Sequence, residues 1–168
     1  MQVRLITLHH PIAKDLARPT SKDFGGNLAL VIGTSNNLYK LRDSEQGEAS
    51  RINRTIIQAW LEEVGEVKGK LDELALQLKH SQVRAPENAL SLQFEVLPNN
   101  HVAESLLCVL EKLDQTLVLL DHHTTTQHAI REKYERVAVY FNDRIRTLFQ
   151  FPYKPNSELR KRLLRLRD

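Results

Sequence analysis

The spacing of apolar side chains changes period several times along this chain. Residues 2–9, Gln-Val-Arg-Leu-Ile-Thr-Leu-His, are dense in β-branched and leucine side chains and predict a strand of about six residues. Pro11 ends it and suits the first turn of a short helix over 12–18. Pro19, Thr20 and Ser21 read as a loop, and Gly25 and Gly26 add freedom or permit a close approach. A second helix fits 27–41, weakened by Gly33, Thr34 and Ser35. The polar stretch 43–49, with Gly47, reads as a loop.

The strongest signal follows. Ile57, Trp60, Val64, Val67, Leu71, Leu74 and Leu78 recur at alternating spacings of 3 and 4, which is a heptad seam within a long helix over 50–80. Its flanks are charged, with Glu62, Glu63, Glu66, Lys68, Lys70, Asp72 and Glu73. Such a seam requires a partner helix, and antiparallel packing inside the same chain is the expectation. After a linker over 81–87, Leu92, Phe94 and Val96 alternate with Ser91, Gln93 and Glu95, the cleanest strand pattern in the chain (90–96). Pro98 ends it, and Asn99 or Asn100 can cap a helix over 99–121. There Leu106, Leu110, Leu113, Leu117 and Leu120 form a second seam. Thr124, Thr125 and Thr126 can cap a last long helix over 126–150, striped by Ile130, Tyr134, Val137, Phe141, Ile145 and Leu148. Pro152 and Pro155 end that helix. The expected fold is mainly α with two short β-strands that pair with each other or with a second chain, because an isolated strand is not stable.

Length and charge refine this picture. The 168 residues favour one domain, expected over 1–150 with a basic tail at 151–168. The domain divides into a strand-helix-helix segment at 1–42, the long helix at 50–80, and the second strand with its two helices. Hydrophobic residues make up 41% and charged residues 27%, which excludes a disordered chain. From Lys154 onward the chain carries six cations (Lys154, Arg160, Lys161, Arg162, Arg165, Arg167) against Glu158 and Asp168, so this tail holds +4 of a net charge of +3. A solvated tail and a phosphate-tracking arm both fit, and 157–167 can form a short basic helix. Cys108 alone excludes an internal disulfide, reads as a packing residue, and favours a reducing, cytoplasmic setting. No signal peptide is expected, and no apolar run approaches the roughly 18 residues of a membrane span.

Enzymatic chemistry finds little support. Seven histidines (His9, His10, His80, His101, His122, His123, His128) invite a metal, yet HExxH and Cys-x-x-Cys patterns are missing. No dinucleotide fingerprint, P-loop or GxSxG stands in the chain. The paired acids Glu62 and Glu63 flank the seam as solvated charges. The expectation is a binding protein, not an enzyme, with no cofactor, metal or small-molecule substrate.

A strand followed by two helices is the layout of a ribbon-helix-helix module, in which two strands pair antiparallel and enter the DNA major groove. The chain offers it twice. At the N-terminus the candidate base readers are Arg4, Thr7 and His9, although Leu5, Ile6 and Leu8 leave apolar groups on both strand faces. In the centre they are Ser91, Gln93 and Glu95, with Thr125 and Thr126 offered to a phosphate. Arg160, Lys161 and Arg162 are the candidate phosphate contacts of the tail.

Leu5, Ile6, Thr7, Leu8, His9 and His10 near the start, the long helix with Trp60 and Leu61, and the Leu92, Gln93, Phe94 strand leading into a long helix carry a resemblance. The chain resembles the AcaB-like transcriptional regulators of integrating conjugative elements and large conjugative plasmids. The resemblance covers most of the chain. It implies a ribbon-helix-helix homodimer, with helical-bundle or coiled-coil extensions, that binds double-stranded DNA and activates genes for conjugative transfer. A contrasting reading keeps the two seams and discards the DNA: a helical adaptor or structural subunit of a conjugation apparatus.

Overall fold

The two expected strands pair with each other. In the computed structural model, β1 (Gln2–Leu8) and β2 (Leu90–Val96) form a two-stranded antiparallel sheet in register from Gln2 opposite Val96 to Leu8 opposite Leu90. The structure describes residues 1–18, 27–44, 46–78, 86–124 and 128–168, with side chains except at 123, 124 and 128–133. The expectations for 19–26, His80, most of the 81–87 linker, Thr125 and Thr126 lie outside the described residues.

Around the sheet run α1 (Pro11–Ala17), α2 (Leu28–Ser44), α3 (Glu48–Gln77), α4 (His101–Thr124), α5 (His128–Gln150) and α6 (Ser157–Arg165). Local chemistry sets their starts. His10 Nδ1 accepts the Ile12 N–H at 3.2 Å and Pro11 occupies the first turn of α1. Asn27 Oδ1 accepts from Ala29 N and Leu30 N at 3.1 and 3.3 Å ahead of α2. Gly47, at φ +80°, turns the chain into α3. Asn100 Oδ1 caps α4 through Ala103 N at 3.0 Å, and Asn156 Oδ1 caps α6 through Leu159 N at 2.8 Å.

One core sits between the sheet and the helices. Ile6, Leu8, Phe94 and Val96 turn inward from the sheet. Both seams are buried in it: Ile57, Trp60, Val64, Val67 and Leu71 from α3, and Leu106, Leu110, Leu113, Leu117 and Leu120 from α4. Fully burying each such side chain is worth about 1.5–3 kcal/mol. The Trp60 indole N–H donates to Leu148 O at 2.9 Å, so the largest buried side chain leaves no polar atom unmet. Cys108 is a half-buried free thiol on α4.

The structure adds a parallel partner to the antiparallel packing expected of the α3 seam. The α3 seam finds its partners inside the chain, but its α4 partner runs parallel to it. Ile57 and Leu61 share a cleft with His101 at the start of α4, and Asp72 pairs with Lys112 one segment further along both helices. β2 lies between α3 and α4 and returns the chain to its starting end, which makes the parallel arrangement possible. Antiparallel partners do exist in α5 and α6, as Trp60 meets Leu148, Lys70 meets Tyr140, and Glu62 meets Arg162. Strand pairing and seam burial, the two needs that a second chain could have met, are both met within one chain.

Candidate nucleic-acid interface

Strand alternation divides the sheet into two faces. Val3, Leu5 and Thr7 of β1 and Ser91, Gln93 and Glu95 of β2 stand on the exposed face, directly opposite one another as Val3–Glu95, Leu5–Gln93 and Thr7–Ser91. Val3 and Leu5 are 58% and 62% exposed, a high value for apolar strand residues. Thr7 Oγ1 and Ser91 Oγ lie 3.4 Å apart.

Buried asparagines hold this face in register. Asn36 of α2 donates from Nδ2 to Glu95 O at 2.9 Å and accepts at Oδ1 from Leu97 N at 3.0 Å. Asn100 Nδ2 donates to Asn36 Oδ1 at 2.8 Å and to Ser35 Oγ at 2.9 Å, and Ser35 Oγ donates to Ile32 O at 2.8 Å. Since Glu95 O turns to Asn36 rather than to β1, the outward pairs are the closely spaced, non-hydrogen-bonded ones. On the opposite edge Arg4 Nη1 donates to Leu5 O at 2.9 Å. Both outer edges therefore carry side-chain partners, which blunts edge-to-edge pairing.

The expected readers separate. Thr7, Ser91, Gln93 and Glu95 share the exposed face. Arg4 does not: its parity turns it toward α4, where Nε meets Glu104 Oε2 at 3.2 Å and Nη2 meets Glu111 Oε2 at 3.0 Å. His9 has also left the strand. Its backbone N–H and that of His10 donate to the buried Asp114 Oδ1 at 2.7 and 2.6 Å, and His9 Nδ1 lies 3.1 Å from Asp114 Oδ2. His10 Nε2 approaches Asp121 Oδ2 at 2.9 Å and the Tyr134 hydroxyl at 2.8 Å. Because His10 Nδ1 accepts from Ile12 N, the neutral ring carries its proton on Nε2. Burial, then the hydrogen bond and charge of Asp121, push the Tyr134 phenol well above its ordinary range. Asp114 and Asp121 stand two turns apart on α4, and the cluster clamps the β1–α1 corner to α4 and α5. No group of three metal-ligating side chains occurs among the described residues.

The basic tail is an ordered helix rather than a free arm. α6 packs on α3, with Leu159 buried and Leu163 half-buried. Arg162 pairs with Glu62 at 2.8 Å and with Glu158 at 3.3 Å, which raises the guanidinium pKa and lowers that of the Glu62 carboxyl. Arg160 and Lys161 point to solvent. Between α6 and the start of α3 lies an open cleft of about 480 Å³ lined by Arg54, Thr55, Gln58, Arg162 and Arg165, and Arg51 Nη2 donates to Leu166 O beside it at 2.9 Å. Arg51 and Arg54 escaped the sequence reading because they precede the seam. Arg51, in the first turn of α3, opposes the helix dipole, which is the one local signal that marks it.

These features define a helical protein that exposes one face of a two-stranded antiparallel sheet. AcaB from uropathogenic E. coli, solved as a selenomethionine-containing crystal structure, has the same fold: TM-score 0.62, 15% identity, 96% of this chain and 80% of that chain covered. The likeness read from the sequence is thereby matched at the level of the fold. No protein-family model matches the chain, and no curated protein sequence matches it. None of the described helices is long and apolar enough to cross a membrane.

Proposed function

We propose that this chain is a sequence-specific DNA-binding transcriptional regulator, without catalytic activity, that reads the major groove with the exposed face of the β1–β2 sheet. One observation carries the reading: the two strand-helix-helix segments of the chain pair their strands antiparallel and turn six side chains outward together. A major groove about 12 Å wide admits a two-stranded ribbon. Gln93 suits the adenine edge, Glu95 the cytosine amino group, Thr7 and Ser91 either, and Val3 and Leu5 the thymine methyl. Exposed apolar side chains on such a face then have a use that water does not offer. The AcaB-like fold is compatible with such a regulator, and the resemblance carried by the sequence extends the proposal to activation of conjugative transfer genes in the cytoplasm. A homodimer is not needed to build this ribbon, and a second copy would add a second one.

Selection from a randomised duplex pool, followed by binding across a salt series, tests the proposal. Enrichment of a defined sequence is expected. Gln93→Ala should relax selectivity at one position by about 1–3 kcal/mol. Arg4→Ala should lower stability and leave selectivity intact, because Arg4 is bound to Glu104 and Glu111. No detectable DNA binding at low salt would overturn the reading in favour of a helical adaptor or structural subunit.

A further inference from the structure

We infer that a continuous cationic groove, running from the end of β2 to α6, is a track for the phosphate backbone of the bound DNA. The inference rests on the DNA-binding reading and adds a surface outside the sheet.

Three open clefts join end to end. The first, about 420 Å³, begins at Leu97 and Pro98, directly after β2, and is walled by Tyr39 and Lys40 of α2. It shares Tyr39 and Asp43 with the second, about 500 Å³, which passes His101 at the start of α4. The second shares Arg54 and Gln58 with the α3–α6 cleft. Five cations line the run (Lys40, Arg42, Arg54, Arg162, Arg165) against one carboxylate, Asp43.

Existing ion pairs decide which cations are available. Arg42 stacks over the Tyr39 ring at 4.5 Å and grips Asp43 at 2.6 and 3.0 Å. Arg162 is held by Glu62 and Glu158. Asp43, the one carboxylate in the lining, is thus neutralised by Arg42, and Arg162 is already occupied. Lys40, Arg54 and Arg165 make no ion pair or hydrogen bond among the described residues, although Arg54 feels the charge of Asp43. They come from three different helices, α2, α3 and α6, and meet along one surface. A helix-packing role explains none of them. The clefts are open, which suits a polyanion passing over the surface better than an enclosed small molecule. DNA presents one charge per about 1.7 Å of helix axis, so a row of unpaired cations meets successive phosphates.

The test compares the full-length protein with Lys40→Ala/Arg54→Ala/Arg165→Ala on the selected duplex and on a mixed-sequence duplex, from about 50 to 200 mM salt. Each lost phosphate contact lowers the slope of log K against log salt by about 1. The triple variant should lose two to three such increments equally on both duplexes, with base selectivity unchanged. The charge-preserving Lys40→Arg/Arg54→Lys/Arg165→Lys should retain the slope. Unchanged Trp60 fluorescence and helical circular dichroism establish that both variants fold. If wild-type protein binds DNA and the alanine variant keeps the full slope, the track is wrong and the ribbon reading stands. If the charge-preserving variant also loses the slope, the residues are structural and the track is again wrong. Failure of the wild type to bind either duplex removes both readings.

Discussion

Asn100 donates its side-chain amide to the side-chain oxygen of Asn36 at 2.8 Å, and both residues are buried. This pair joins the start of α4 to α2, and through Asn36 it holds the end of β2. The placement of α2, β2, α4 and the exposed sheet face thus depends on one polar contact in the core.

Asn36→Ala is expected to destabilise the fold by about 1–3 kcal/mol, because it removes the partner of Glu95 O and Leu97 N and leaves the buried Asn100 amide short of an acceptor. Urea unfolding followed by the fluorescence of Trp60, the only tryptophan, measures this. A loss below about 0.5 kcal/mol would show that the network contributes no more than an ordinary surface position.

Tyr134 makes a prediction about alkaline pH. Its folded pKa is raised above the unfolded value of about 10, first by burial and then by Asp121. Above pH 10 the unfolded chain releases this proton while the folded chain keeps it, so stability falls as pH rises through that range and is fully present below it. Tyr134→Phe should flatten the decline. Urea midpoints of the two proteins between pH 8 and 11 decide the matter, and parallel curves would remove Tyr134 from the linkage.

Leu159→Ala should release α6 locally. Losing the one fully buried side chain of this helix costs about 2–3 kcal/mol, enough to favour local opening over global unfolding. Trypsin should then cut at Arg160 to Arg167 more than about tenfold faster, while the urea midpoint of the rest of the chain moves little. Equal cleavage rates would mean that α6 is held by something other than Leu159.

Local periodicity made much of the architecture legible. The alternation from Ser91 to Val96 locates β2, and both leucine seams locate α3 and α4. β1 was harder, since Leu5 and Ile6 place apolar groups on both faces, and only the structure shows that Leu5 is the outward one. A heptad seam states that a partner exists but not its direction, which is why parallel packing of α3 on α4 could not be read. Arg4 was legible as a cation on a strand, yet its carboxylate partners stand about a hundred positions away on α4. The cluster of His9 and His10 with Asp114 and Asp121 is equally remote in sequence. The clefts linking α2, α3, α4 and α6 arise from helix ends that meet only in the folded chain.

The pairing of β1 with β2 inside one polypeptide has a consequence for any operator it reads. A ribbon made by two identical chains has a two-fold axis and selects palindromic DNA. Here the two strands differ: Val3, Leu5 and Thr7 on one, Ser91, Gln93 and Glu95 on the other. On the proposed reading the recognised element is non-palindromic: apolar, amide and carboxylate contacts fall at the end marked by Val3 and Glu95 and hydroxyl contacts at the end marked by Thr7 and Ser91, and the protein sits on the duplex in a single orientation.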